Sequence, residues 1–477
     1  MTSIIPKIEA IVGREHVTTA EEDLLCYAYD AANRHYRPDA VAFPATADEV
    51  SNILKLANEN RFFVVPRGAG TGMTGGALAV QGGLVLAMTR FNRILAIDID
   101  NLVAEVGPGV VTGHFQEVVE GKGLFYPPDP SSASFSTLGG NVAECAGGPR
   151  AVKYGVTRDY VLGLEVVLPT GEIIGTGVRT AKGVVGYDLT RLMVGSEGTL
   201  GVITKIVLRL FPLPEAVRTL SVVFSRIQDA ASTVCEIIRS GVIPRTIEYM
   251  DHWAIRCVED YLTRLPSPDT AYSLRNSMHG NGGQETGLSA DAGAMLLIEV
   301  DGSVSAVEAA MRDLTETCRK CGAYQVNVAS SAQEAKELWR ARQSISPALF
   351  RLGPDKINED IVVPRNRIPD MVEWIDELRN KTGLTIVTFG HAGDGNIHFN
   401  IMLDRRDKEA LEKAESAIEE LFAQTLALGG TISGEHGVGI TKAPYIGMEI
   451  GSQELALMKR IKAVFDPNGI LNPGKIF

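Results

Sequence analysis

Apolar positions recur along this chain with two different periods, and the alternation between them divides it. In "TADEVSNILKLANEN" (46–60), Val50, Ile53, Leu54 and Ala57 share one helical face, and Thr46 with Glu49 makes a capping box. The spacing predicts a helix there, then a short apolar strand in "RFFVVP" and a glycine-rich loop. Down to about residue 211 short strands and turns dominate, as in "GLEVVLPTGEIIGTG" with its Pro-Thr-Gly turn. "LFPLPEA" (210–216) interrupts an apolar strand with two prolines and marks a boundary.

Beyond that boundary the pattern reads strand 219–225, helix 228–240, strand 243–249, then strand 294–301, helix 305–321 and strand 324–329. That β-α-β-β-α-β order is the signature of a ferredoxin-like split unit. The polar stretch near 264–293 reads as a surface insertion, with a mobile lid as the alternative. A helical run over 331–352 and a helix over 406–428 complete the pattern, and no internal repeat or heptad array is present.

Composition narrows the class. The 477 residues suffice for two or three domains, and 45% hydrophobic with 22% charged residues is ordinary for a globular protein. A net charge of -12 argues against a nucleic-acid surface. No apolar run is long enough to cross a bilayer, and the start has no signal-peptide core, so a cytoplasmic protein is expected. The CxxC pair Cys318/Cys321 has no second pair to complete a four-thiolate site and reads as a helix end stopped by Gly322.

Two kinds of segment carry chemistry. The first is glycine-rich. "PRGAGTGMTGGA" (66–77) satisfies GxGxxG, but no helix begins there and no acidic residue follows at nicotinamide spacing. What remains is a loop whose bare backbone N–H groups can approach phosphate oxygens. "PPDPSSASFSTLGGNVAECAGGPRAVKYG" (127–155) and "GSEGTLGVIT" (195–204) repeat the theme, which points to a long polar ligand laid across several loops.

The second kind carries histidine. In "GHAGDGNIHFN" (390–400) the GDGN turn puts His391 and His398 on adjoining arms, and "SGEHGVG" (433–439) adds Glu435 and His436. Two imidazoles and a carboxylate with open positions suit a catalytic divalent metal: zinc first, manganese or iron also compatible.

In that order, "PRGAGTGMTGG", "STLGGNVAECAGG", "KYG" and "GSEGTLGVIT" resemble the FAD-binding domain of vanillyl-alcohol-oxidase-type flavoproteins. The histidine segments and the ending "FDPNGILNPGKIF" narrow the resemblance to FAD-linked 2-hydroxy-acid dehydrogenases: glycolate oxidase flavin subunits, D-lactate and D-2-hydroxyglutarate dehydrogenases. It implies an α+β fold: a two-part FAD-binding domain over 1–214, and a substrate (cap) domain with a ferredoxin-like core over 215–430. A C-terminal segment, 431–477, carries the Glu-His motif and packs back on the FAD domain.

By that resemblance Pro66, Arg67, Gly68, Ala69, Gly70, Thr71, Gly72, Thr74, Gly75 and Gly76 hold the diphosphate. Pro128, Asp129, Ser132, Thr137, Gly139, Gly140, Asn141, Ala143 and Gly148 line the flavin and ribityl chain, and Glu197, Gly198 and Ile203 the adenosine end or the back of the pocket. Cys145 stands where many relatives carry asparagine and is assigned no chemistry; "PRGAGTG" has no histidine to tether the flavin, so the FAD is expected to be noncovalent. His391, His398 and Glu435 match metal ligands, and His436 matches the base. Asn400, Arg342 and Ser346 (threonine in relatives) match substrate contacts; Lys356 is a further candidate and Arg340 a solvated neighbour.

The expected reaction is oxidation of a D-2-hydroxy acid to the 2-oxo acid by hydride transfer to flavin N5. D-lactate is the first choice, glycolate and D-2-hydroxyglutarate the alternatives. Electrons would leave to an electron-transfer flavoprotein, an iron-sulfur subunit or a quinone, in a homodimer or hetero-complex, with membrane contact only peripheral and through a partner. The competing readings are a metal-dependent hydrolase with structural glycine loops and a flavin subunit that only relays electrons.

Overall fold

The computed structural model describes residues 2–262 and 292–477, so all but the last two residues of the polar 264–293 stretch lie outside the described residues. The chain forms two compact units. Unit 1 comprises 1–148, 155–213 and 435–477; unit 2 comprises 149–154 and 214–434.

Unit 1 opens with β1 (Val17–Thr18), β2 (Ala40–Ala42), β3 (Val64–Arg67) and β4 (Leu84–Ala87), in sheet order β1-β2-β4-β3. The pairs β2–β4 and β3–β4 are parallel, so the crossover from β2 to β3 needs a helix. Ala47–Asn60 supplies it, with Thr46 Oγ1 accepting the Glu49 N–H at the N-terminus. Its Val50, Ile53, Leu54 and Ala57 are fully buried against Val64, Leu84 and Leu86. Each Ile or Leu so buried contributes about 2 kcal/mol.

A second sheet is antiparallel. It uses β5 (Ile94–Asp98), β6 (Val103–Val106), β8 (Val161–Val167), β9 (Ile173–Gly177) and β10 (Val202–Arg209), ordered β5-β6-β10-β8-β9. Short β7 (Leu124–Phe125) pairs with β11 (Phe211–Pro212). The C-terminus is stitched to the first sheet, because Val64 N–H donates to Ile470 O and Asn472 N–H to Val64 O.

Unit 2 is one seven-stranded sheet, ordered β15-β12-β14-β13-β17-β18-β16. Its first four strands are β12 (Ala216–Phe224), β13 (Thr246–Asp251), β14 (Ala294–Gly302) and β15 (Gln325–Val328), with helices Ile227–Arg239 and Val304–Lys320 as crossovers. All neighbouring pairs among them are antiparallel, so the β-α-β-β-α-β unit is present and forms one half of a wider sheet. The other half is β16 (Asp355–Val362), β17 (Thr385–His391) and β18 (Asn396–Leu403). The helical run expected over 331–352 breaks at Ser344 into Ala332–Gln343, Ile345–Ala348 and a final turn; Pro347 has no N–H to continue it.

Residues 149–154 belong to unit 2 through Lys153 and Tyr154, whose Nζ and hydroxyl donate to Asp301 O and Oδ2, each at 2.9 Å. Residues 431–434 also stay there: Thr431 bridges Val362, and Gly434 N–H donates to Asp360 Oδ2 at 2.9 Å.

Candidate active site

β3 ends at Arg67 and delivers the first glycine loop. The Arg67 side chain packs against neighbouring backbone and an aromatic ring. Its Nη2 donates to Tyr29 O at 2.7 Å and its guanidinium lies over the Tyr27 ring, so it braces the loop from behind. Gly68 shows why a side chain is excluded here, since a Cβ would meet Thr137 Oγ1 at 2.3 Å. That hydroxyl is buried and has no hydrogen-bond partner among the described residues, although it stands where the first two glycine loops meet. An orphaned donor beside bare backbone suits a polar ligand such as the FAD diphosphate.

The second loop enters helix Leu138–Glu144. Gly139 N–H donates to Pro108 O, and Asn141 Nδ2 donates to Thr112 Oγ1 at 2.8 Å, so Asn141 holds the loop in shape. Gly148 sits against Asp129, whose carbonyl a Cβ would meet at 2.5 Å. In the third loop Glu197 N–H donates to Ala143 O. Pro66, Ala69, Gly70, Thr71, Gly72, Ser132, Gly140, Gly198 and Ile203 are half-buried or exposed around these loops; Gly75, Gly76 and Pro128 are buried.

His436 belongs to this unit and is placed by two of the loops. Thr74 Oγ1 donates to His436 O at 3.0 Å, and Thr74 O accepts the Ile440 N–H. Glu197 Oε1 and Oε2 accept the N–H groups of Val438 and Gly439, each at 2.7 Å. The Glu197 carboxylate, expected at the adenosine end or the back of the pocket, grips the segment that follows His436. Gly439 lies so close that a Cβ would meet Thr74 O at 2.1 Å.

Three further residues in this region escaped the sequence reading. Asn472 Nδ2 donates to Gly76 O at 3.0 Å and to Glu197 O at 2.7 Å, tying the first loop to the third. Lys475 Nζ donates to Leu78 O, and burial pulls its amine down to about 8 although Glu197, Asp30 and Glu144 oppose the shift. Glu144 is pushed well above the carboxylate range, first by burial and then by Glu197. The closing "NPGKIF" was read as a family signature, and nothing in its spacing told which carbonyls it would bind.

In unit 2 the strand register assembles a polar face. Glu248 on β13 pairs with His391 on β17; Phe389 pairs with His398 on β18; His398 and Asn400 pair with Asp360 and Asn358 on β16. Side chains two apart share a face, so Lys356 joins this row. The turn between β17 and β18 is tight: Asp394 N–H donates to His391 O, and Gly395 has φ 92°.

His391 and His398 are 6% and 7% exposed, and their Nε2 atoms lie 3.4 Å apart. His391 Nδ1 faces Glu248 Oε1 at 2.7 Å, so the carboxylate favours a proton on Nδ1 and leaves Nε2 to face His398. Two nitrogens roughly 2.0–2.1 Å from a tetrahedral ion would be roughly 3.4 Å apart, so the pair suits a divalent metal. Glu435 follows directly on Gly434, which Asp360, the cross-strand partner of His398, holds in place.

The cations differ in their partners. Arg342 is buried, with Nη2 on Glu248 Oε2 at 2.6 Å and its guanidinium over Phe389; Nε has no partner. Burial alone would raise the Glu248 carboxyl, but His391 and Arg342 outweigh it and hold it below its ordinary range. Lys356 Nζ donates to Ser346 Oγ at 2.7 Å, no carboxylate among the described residues pairs with it, and burial lowers its pKa. Arg340 is exposed. Asn400, expected at the substrate, is fully buried: Nδ2 donates to Val387 O and His398 O, and Oδ1 accepts from Asn358. One acceptor lone pair is all it has left to offer.

Elsewhere, Cys318 of the CxxC pair is buried and its thiol is pushed up to about 12, which leaves it inert. No helix among the described residues is long and apolar enough to cross a membrane.

Two family models match the chain. Residues 213–476 match the family "FAD linked oxidases, C-terminal domain", and 38–177 match "FAD binding domain". The glycolate oxidase subunit GlcD of Bacillus subtilis is 46% identical, covering 98% of this chain and 95% of that protein. The D-lactate dehydrogenase of Anaerostipes hadrus is 36% identical over 92% of this chain and 90% of its own. Among solved structures, p-cresol methylhydroxylase with substrate bound superposes with a TM-score of 0.79 at 19% identity, covering 100% of this chain and 96% of its own. Alkyldihydroxyacetonephosphate synthase gives 0.75 at 19%, covering 99% and 86%. At such identities these structures speak for the fold.

Proposed function

Because the chain belongs to the FAD-linked oxidase family and is an FAD-binding oxidoreductase, we propose that it oxidises a D-2-hydroxy acid to the 2-oxo acid. D-lactate is the first choice, glycolate and D-2-hydroxyglutarate the alternatives. The observation that carries this reading is the buried imidazole pair, with Nε2 atoms 3.4 Å apart and one ring pinned by a carboxylate. A flavin oxidoreductase that removed hydride from an unactivated carbon would have no use for it. The hydrolase alternative falls, because the first two glycine loops lie in an FAD-binding domain.

His391, His398 and Glu435 would hold a divalent ion, zinc first. When bound, such an ion supplies Lewis acidity that lowers the pKa of the substrate C2 hydroxyl. Noncovalent FAD, when bound, supplies the acceptor for the C2 hydride. The protein's own groups do the rest. Lys356 with Ser346 binds the substrate carboxylate as a cation and a hydroxyl, and Arg342 adds its free Nε–H. His436 accepts the hydroxyl proton, with its backbone fixed by Thr74 and its neighbours by Glu197. Splitting ligand and base between Glu435 and His436 keeps one imidazole free for the proton. Electrons then pass to an electron-transfer flavoprotein, an iron-sulfur subunit or a quinone; two GlcD relatives named as subunits support an assembly.

The test is anaerobic addition of D-lactate, glycolate and D-2-hydroxyglutarate to the purified yellow protein. Bleaching of the oxidised-flavin spectrum by one of them is expected and identifies the substrate. Bleaching by none of them would move the reading to an electron relay.

A further inference from the structure

Five side chains of unit 2 close a ring. Glu248 Oε1 meets His391 Nδ1 at 2.7 Å, and the His391 and His398 rings are T-shaped with centroids 5.1 Å apart. His398 packs on Phe389 at 5.4 Å, Arg342 lies 4.9 Å over Phe389, and Arg342 Nη2 returns to Glu248 Oε2 at 2.6 Å. Glu248 is 0% exposed. The β13–β17 register sets it directly opposite His391.

We propose that Glu248 is a positioning residue that serves two stations at once: it fixes the tautomer of His391 and the pose of Arg342, coupling metal affinity to substrate-carboxylate affinity. The inference rests on the metal reading given above. Its physical content lies in the two oxygens. A carboxylate can serve both sides: Oε1 faces His391 Nδ1 at 2.7 Å, and Oε2 forms an ion pair with the Arg342 guanidinium at 2.6 Å. Glutamine has the same shape but only one oxygen. In Glu248→Gln that oxygen turns to Arg342, because a hydrogen bond to a charged guanidinium is stronger than one to a neutral imidazole. The amide NH2 then faces Nδ1 and favours the tautomer with hydrogen on Nε2, which opposes a metal. Removing the guanidinium reverses the choice. In Glu248→Gln/Arg342→Met the amide oxygen can turn back to Nδ1–H, and the buried carboxylate–guanidinium pair has been replaced as a pair, so no lone charge is left to unfold the site.

The experiment measures zinc dissociation constants by competition with a chromophoric chelator, on the full-length FAD-loaded protein. Flavin absorbance checks that each variant is folded. Glu248→Gln is expected to weaken zinc binding roughly 10- to 100-fold, and the double variant to recover at least about tenfold of that loss. Zinc affinity within about twofold of wild type in Glu248→Gln overturns the proposal. So does a double variant no tighter than the single one, since mere structural damage would not be rescued by a second core substitution. His391→Ala separates the two readings: it should abolish zinc binding, and if it does not, the metal assignment itself fails and takes this inference with it.

Discussion

Glu197→Gln isolates the contact that places the segment of His436, the proposed base. Each Glu197 oxygen accepts one backbone N–H, from Val438 and Gly439, at 2.7 Å. Glutamine keeps one acceptor and turns an NH2 toward the other N–H. One bond to a carboxylate oxygen becomes one to an amide oxygen, a loss of about 1 kcal/mol, and the second is replaced by an unsatisfied buried donor, at about 1–3 kcal/mol. The sum, about 2–4 kcal/mol, acts on a segment that Thr74 still holds at His436 O and Ile440 N. The segment therefore shifts without detaching. A displacement of about 1 Å at a reacting group costs on the order of 100-fold in rate. Single-turnover flavin reduction followed at the oxidised-flavin band should slow about 100-fold. KM should stay near wild type, because the carboxylate-binding cations lie on other elements. Reduction within about threefold of wild type would refute the anchoring role. Loss of FAD on purification would return Glu197 to the cofactor contact expected from sequence.

Other consequences are as direct. Lys356→Met should raise KM about 10- to 100-fold, the loss of one charge-assisted hydrogen bond. In the wild type KM should rise with pH below the usual lysine range, since burial lowers this amine; a KM–pH profile checks both. Asn472→Ala leaves Gly76 O and Glu197 O without their donor, about 2–4 kcal/mol of stability, and should raise the FAD dissociation constant read by fluorescence of released flavin. Lys475 titrates near 8 when folded and near 10.4 when unfolded. The unfolded chain therefore binds the extra proton between these values, and stability rises with pH across that window. Denaturation midpoints for wild type and Lys475→Met should diverge there; parallel curves would contradict the assignment.

How much of this was legible in the sequence depends on whether a local period encodes it. The helix over 47–60 and the split β-α-β-β-α-β unit follow from periodicity and capping, and both are present. The histidine arms were legible because the GDGN turn puts His391 and His398 on adjoining strands. The partners of those residues were not. Glu248 lies well over a hundred positions from His391, and only the β13–β17 register brings them opposite each other. Asn400 was assigned to substrate because it shares an arm with His398, yet its amide is spent on Val387, His398 and Asn358 across two strand pairings. Arg67 was read as part of the diphosphate loop; its backbone lies there, while its side chain reaches Tyr29 far upstream. Asn472 and Lys475 act on carbonyl groups, which carry no sequence signal at all.

The central claim is that a metal held by His391, His398 and Glu435, with His436 as base, carries oxidation of a D-2-hydroxy acid. Its most direct test is the anaerobic single-turnover rate of flavin reduction by the substrate that bleaches the protein. The rate is measured on wild type as purified, after chelator treatment, and after zinc or manganese is restored, with His436→Asn alongside. The account predicts that chelation abolishes reduction while leaving the flavin bound, that the restored ion returns it, and that His436→Asn stays slow with its metal in place. Reduction that survives complete removal of the metal, or that His436→Asn leaves intact, would contradict it.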